Sequence, residues 1–247
     1  MRRAVLLAVL LLAFSASRVG AFAVSAYKWP QAGLGAPVTI TFSFSNLFDG
    51  GMLNASGLPV SIGELRGGVV EAMRVWASVT PLNFVELLDA GPPVSDSNYD
   101  GTGLPQIRIG HHLIDGFGST KAHAYYPLGP GNGYAGDVHF DDADRWSLIG
   151  TLANPDILGA AMHELGHSLG LDHSSNATAI MNPIFQRMAG PGTGYLTDDD
   201  IAGIHQIYGS GVGSVRPLVP EPSTVVLAGG ALVAAAMYRF VRKNRVR

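Results

Sequence analysis

Three histidines, one glutamate and a turn-forming glycine stand together in His163-Glu164-Leu165-Gly166-His167-Ser168-Leu169-Gly170-Leu171-Asp172-His173. On a helix, residues four apart share a face, so His163 and His167 can present their imidazoles to one metal ion. Glu164 lies one position on, beside that face, where it reaches a water on the metal rather than the metal itself. Zinc brings the pKa of such a water to about 7, and a neighbouring carboxylate can take its remaining proton. Gly170 permits a sharp turn, including one through positive φ, and that turn returns His173 as third ligand. Three histidines leave a fourth position for water or substrate, as a catalytic zinc requires. His-Glu-x-x-His alone arises in ordinary helices; Gly170 and His173 at fixed spacing make the motif specific. The competing reading is a non-catalytic surface or matrix protein that keeps zinc for stability. Such a site has no use for Glu164 and is usually closed by a fourth protein ligand.

These side chains need a helix that ends in a tight turn. The pattern predicts one starting at Asn154-Pro155, an N-cap followed by proline, and running to about Leu169 before Gly170 ends it. An earlier helix over 62–79 carries Val69, Val70, Met73, Val75 and Trp76 on one apolar face and stops at Thr80-Pro81. A third begins at Thr197, whose hydroxyl caps it, while Asp198, Asp199 and Asp200 favour the positive end of the helix dipole. Residues 38–44 alternate with period two and read as a strand; short β-like runs follow at 84–87, 106–109, 122–126 and 137–140. Segment 88–104 is long enough to be a surface loop or insertion. There is no internal repeat. Helix, strands, helix, helix make the fold class α+β.

The two ends of the 247-residue chain have their own character. Arg2 and Arg3, the apolar stretch Ala4 to Phe14 and the small-x-small site Ala21-Phe22-Ala23 read as a signal peptide over 1–23. At the other end, a Pro-containing linker over 213–223 carries Pro220-Glu221-Pro222, and 224–247 is a hydrophobic segment with a basic tail. Its apolar run from Val225 to Val241 sits at the lower limit for spanning a bilayer, with the Arg/Lys cluster on the cytoplasmic side. The exported part keeps eight of the 16 Lys and Arg but all 19 Asp and Glu, a formal charge of −11. That acidity argues against nucleic-acid binding. With no cysteine, stability must come from the core or from bound ions. A thiolate-based inhibitory switch and a Cys-ligated zinc are excluded as well.

The zinc motif, followed by Ser174 and then by Ala179-Ile180-Met181-Asn182-Pro183, resembles the metzincin metalloproteases and, within them, the matrixins. Similarity extends from about Tyr27 to Gly209, including 75–84 and 196–204, and places the catalytic domain at 24–212. It implies a single metzincin-like domain with a twisted, mostly parallel sheet, an antiparallel edge strand and three helices. Met181 would form the Met-turn beneath the zinc. A peptide or protein substrate would lie extended along Thr120 to Tyr125 and pair with the main chain around Ala122 and Ala124. Pro183 and Phe185 would border the pocket for the residue after the cut. The family also implies further ions. His123 and His139 resemble strand ligands of a second, structural zinc, with His111 or His112 supplying another ligand and no matching aspartate remaining. Asp115, Gly116 and Gly118, with Asp141 and Asp144, resemble a calcium loop of hard oxygen donors. Spacing of the third histidine and the Met-turn disfavour another zinc hydrolase such as a deacetylase or amidase.

Pro-Glu-Pro, a hydrophobic segment and a basic end together resemble the PEP-CTERM sorting signal of Gram-negative bacteria. That resemblance implies export, a transient inner-membrane anchor through the C-terminal segment, and processing by an exosortase-type enzyme. The destination would be the cell surface or extracellular matrix. A monomeric enzyme, active once exported and metal-loaded, is the expectation.

Overall fold

The structure is a computed structural model that describes residues 21–94, 103–127, 133–147, 155–184 and 196–218. Its elements in chain order are β1 (Ala23–Val24), β2 (Val38–Phe44), α1 (Ile62–Val79), β3 (Leu82–Glu86), β4 (Ile107–His112), β5 (Ala122–Ala124), β6 (Val138–Asp141), α2 (Ile157–Ser168), β7 (Leu171–Asp172), α3 (Asp198–Tyr208) and β8 (Ser214–Arg216). Alternation along β2 buries Val38, Ile40, Phe42 and Phe44, and side chains two apart share one face of a strand. β2 is therefore central to a six-stranded sheet of order β5-β6-β4-β2-β3-β8. β3 and β4 run parallel to β2, as β8 does to β3 and β6 to β4. β5 alone is antiparallel, paired with β6, and forms one edge. β8 lies beyond the 212 end expected for the catalytic domain, because Ser214–Arg216 adds to the sheet through main-chain bonds to β3.

α1 starts where Ser61 and Glu64 satisfy each other's backbone N–H in a capping box. It ends at Thr80 because the residue before a proline is pushed to extended φ and ψ. Leu65, Val69, Met73 and Trp76, spaced by three and four, are buried against α2 and the sheet. Each such side chain taken from water contributes about 1.5–3 kcal/mol. Trp76 also reaches across to the zinc-motif helix, its Nε1 donating to Met162 O at 3.0 Å.

The start of the described chain is tied to the far end of the domain. The Ala21 and Phe22 amides donate to Asp199 Oδ1 at 2.7 and 3.1 Å, and β1 pairs antiparallel with β7. The expected leader boundary after Ala23 thus falls inside a strand. Among the described residues no helix is long and apolar enough to cross a membrane. The signal stretch before Ala21, the Pro-Glu-Pro motif and segment 224–247 lie outside those residues.

Candidate active site

α2 begins later than the sequence pattern predicts. Asn154 lies outside the described residues, and the N-cap is Asp156, whose carboxylate accepts the Leu158 and Gly159 amides at 2.9 and 3.1 Å. One Asp oxygen serves two of the orphan donors that every helix start presents. The C-terminal turn is secured from outside. Trp29 Nε1 donates to Ser168 O at 2.9 Å and Tyr208 Oη to Leu169 O at 3.0 Å. Gly170 follows with φ +99°, and a Cβ there would meet Tyr27 O at 2.4 Å. Both the left-handed conformation and the close backbone approach require glycine.

This turn brings His173 back over the helix. His163 Nε2 and His167 Nε2 lie 3.3 and 3.2 Å from His173 Nε2. His163 Nδ1 faces Ile180 O at 2.6 Å, and His167 Nδ1 faces Leu171 O at 2.9 Å. Carbonyl oxygens only accept, so both Nδ1 atoms carry hydrogen and both Nε2 atoms turn lone pairs toward His173. Converging lone pairs of this kind fit a metal cation, and the donor set suits zinc. Burial first, then neighbouring imidazoles, lowers the His167 pKa from 6.5 to about 4; burial also lowers that of His163. Both rings are thereby held in the neutral form that ligates.

Glu164 stands beside the triad, only 7% exposed. Burial pushes its carboxyl from 4.5 up to about 8. Glu164 and the three histidines open onto a cleft of about 640 Å³. Its lining includes Ala122, His123 and Ala124 of β5, the sheet edge that is unpaired among the described residues, and Pro183 borders it too. Phe185, expected near the same pocket, lies outside the described residues.

Met181 lies beneath the helix. A Cβ on Gly166 would come within 2.2 Å of Met181 Sδ, so the glycine between the two helical histidines makes room for that sulfur. What orients this turn was not legible in the sequence. Asp200, fully buried, accepts the Ile180 amide at 3.0 Å and the Met181 amide at 3.1 Å while closing the capping box with Thr197. Asp199 accepts from Ser174 Oγ at 2.5 Å. The acidic triplet is thus more than dipole complement: two of its members hold the segments that carry His173 and the Ile180 carbonyl. Tyr126, also missed, sets its ring edge-on to His167 with centroids 5.8 Å apart. Burial first, then a hydrogen bond and the charge of Asp172, pushes its phenol up to about 12.

A second triad forms on the sheet. His112 Nε2 and His123 Nε2 each lie 3.1 Å from His139 Nδ1, and the three rings form a second group able to hold a metal ion. His112 Nδ1 faces Leu113 O at 2.9 Å, which turns its Nε2 lone pair inward. These donors also fit zinc. His111 does not join them. Adjacent residues of β4 point to opposite faces, so His111 is buried between Asp49 and Asp142, at 2.8 and 3.1 Å. Register on the sheet decides between two neighbouring histidines that the sequence leaves open.

Around the loop after β4, Asp141 Oδ2 accepts the Asp115 and Gly116 amides, each at 3.1 Å. Asp144 Oδ1 accepts the Gly118 amide at 3.1 Å and the Lys121 ammonium at 2.7 Å. The expected calcium residues therefore surround one turn. Among the described residues, though, their carboxylates do not gather into a three-carboxylate cluster of the kind the two histidine groups form.

A histidine triad on a helix and its following turn, beside a six-stranded sheet with an antiparallel edge strand, defines a metzincin fold. Residues 53–209 match the Matrixin family profile, and the chain belongs to that family. Among similar proteins, stromelysin-2 of Rattus norvegicus is 37% identical over 159 residues, covering 63% of this chain and 30% of its own length. Matrix metalloproteinase-16 of Homo sapiens is 39% identical over 175 residues, covering 65% of this chain and 26% of its own length. For matrix metalloproteinase-15 of Homo sapiens the values are 40% over 164 residues, 63% and 23%. The chain thus aligns with less than a third of the length of these relatives.

Proposed function

We propose that this chain is a zinc-dependent endopeptidase acting on extended protein segments. The observation that carries the proposal is the buried Glu164 next to three converging imidazoles, in a cleft lined by a sheet-edge strand. When bound by His163, His167 and His173, zinc supplies Lewis-acid polarisation of the scissile carbonyl and makes water acidic. Glu164 accepts the proton of the attacking water and delivers it to the leaving amine. Its raised pKa suits the second half of that transfer, since the carboxyl is a competent acid near neutral pH; a dication bound beside it would favour the carboxylate that the first half needs. The β5 edge, at Ala122 and Ala124, pairs with the substrate main chain, and Pro183 borders the pocket for the residue after the cut. His112, His123 and His139 hold a second, structural zinc that ties β4, β5 and β6 together; the Asp115 loop is a calcium site.

The same reading takes the protein as exported and monomeric. Support for export is the basic-apolar-small pattern of residues 1–23. Support for membrane sorting is Pro220-Glu221-Pro222 followed by the apolar segment and basic tail. An exosortase-type enzyme would process that end, with delivery to the surface or matrix of a Gram-negative cell.

The test is a peptide-library digest with the full-length, zinc-loaded protein and its Glu164→Ala variant, with zinc content measured in both. Wild type should cleave about 10³-fold faster than the variant at equal zinc. Equal inactivity of the two zinc-loaded proteins would instead favour a non-catalytic, metal-stabilised surface protein.

A further inference from the structure

The loop 115–121 gathers negative charge around one lysine. Asp144 is completely buried, and its Oδ2 has no hydrogen-bond partner among the described residues. Its other oxygen takes the Lys121 ammonium at 2.7 Å as well as the Gly118 amide. Asp141, equally buried, accepts the amides of Asp115, Gly116 and Ala143. Asp115 is folded back on Thr120, whose amide lies 3.1 Å from both of its oxygens. The Phe117 ring lies 5.6 Å from the ammonium and adds a weakly favourable face to it. A buried carboxylate with one oxygen unpaired is costly unless a cation neutralises it. Here the chain provides that cation from within.

We propose that Lys121 is a tethered cation that competes with calcium for Asp144, so that this loop is ordered without calcium and binds it weakly. The proposal rests on the reading of the Asp115 loop as a calcium site. Its geometry gives the lysine two advantages. Lys121 directly precedes β5, so its ammonium is delivered by an element already fixed in the sheet. Little further ordering is then needed to bring it to Asp144, whereas a free ion must be drawn from solution and dehydrated. The oxygen left unpaired on Asp144 is what a divalent ion would still gain, and that is why the competition is not absolute. The consequence reaches the cleft. Ser119, Thr120 and Lys121 form part of its wall, so the ammonium keeps the substrate side of the loop in place whether or not calcium is present.

The experiment compares zinc-loaded full-length wild type, Lys121→Leu and Lys121→Arg, all purified with calcium and then exchanged into calcium-free buffer. Calcium binding is read by titration calorimetry and stability by thermal unfolding, with and without added calcium. Lys121→Leu should bind calcium about tenfold or more tighter than wild type, the effect of deleting one charge-assisted competitor. Its Tm should rise by about 5 °C on adding calcium, while wild type and Lys121→Arg stay nearly unmoved. Equal, tight calcium binding by wild type and Lys121→Leu would overturn the competition while leaving the calcium loop intact. No calcium binding by any of the three would overturn the calcium loop itself, and the competition with it. If Lys121→Leu unfolds on exchange, the Lys121→Arg protein still decides: a large calcium-induced Tm rise there sinks the proposal.

Discussion

The molecule builds the same donor set twice, in opposite surroundings. Both triads bring three imidazole nitrogens within ligating distance of one another. In the first, two ligands come from one helix, a turn supplies the third, and their Nδ1 atoms are anchored to the Ile180 and Leu171 carbonyls. In the second, three different strands or strand ends contribute, and the buried His139 Nε2 has no hydrogen-bond partner among the described residues. The first triad has Glu164 at its side. Around the second stand aromatic rings: Tyr125 packs edge-on to both His123 and His139 and stacks on Tyr134. Ligands alone therefore do not decide what a site does. Under the proposed function, a proton acceptor and an open cleft equip the first for chemistry, and a zinc on the second would hold the edge strand at that cleft.

The widest separation of the two should come from removing one ligand at each. His167→Ala is expected to lose one zinc equivalent and reduce kcat/KM by about 10³-fold or more, since proton transfer by Glu164 then has no polarised partner. His139→Ala should lose the other equivalent, with kcat within a few fold of wild type and a clear fall in Tm. Metal analysis, peptide hydrolysis and thermal unfolding on the same preparations check this. A folded His139→Ala protein as inactive as His167→Ala would break the division of labour.

Protons should report the same contrast in the metal-free protein. Burial lowers the folded-state pKa of His139 to about 3 and of His167 to about 4, and lowers His163 and His123 as well. Below about pH 6.5 the unfolded chain takes up these protons first, so stability falls as pH drops toward 4 and then 3. Glu164 acts in the opposite sense. Its pKa is raised to about 8, so between about pH 4.5 and 8 the unfolded state loses the proton that the folded state keeps. Four histidines outweigh one glutamate below pH 6.5, while Glu164 dominates above it. Denaturant unfolding should therefore show a maximum near neutrality, with each fully titrating group contributing a slope of about 1.4 kcal/mol per pH unit. Glu164→Gln should flatten the alkaline limb and steepen the acid limb between about pH 4.5 and 6.5, and a variant that still falls on the alkaline side would discount the carboxyl.

Much of the first site was legible because its determinants are local. His163, Glu164, His167, Gly170 and His173 fall within eleven positions, where helix periodicity and one positive-φ glycine set the geometry. The cap at Thr197 follows from equally local chemistry. The second site depends on pairing between strands distant in sequence, so only the sheet register separates His112 from His111. The Asp156 cap escaped notice because Asn-Pro gives an equally good local start two residues earlier. Asp199, Asp200 and Lys121 looked like ordinary charges, since their partners at Ala21, Met181 and Asp144 lie far away along the chain.

The smallest expected effect tests what anchors the first triad. Asp200 accepts the Ile180 and Met181 amides and both Thr197 donors, and the Ile180 carbonyl in turn anchors His163. Asp200→Asn keeps the shape but replaces one acceptor oxygen with an amide that cannot accept. Leaving buried N–H groups unsatisfied costs about 1–3 kcal/mol, which chemical denaturation of the zinc-loaded protein should show as a lower midpoint at unchanged slope. Zinc content should remain two equivalents. Because the lost contact lies behind His163 and not on Glu164, kcat should fall by less than about tenfold, one or two hydrogen bonds removed from the chemistry. A loss as deep as that of Glu164→Ala would mean that the Met-turn does more than orient a ligand. No change in either stability or rate would mean that the His163 carbonyl anchor is redundant, and the two triads would then differ only in the presence of Glu164.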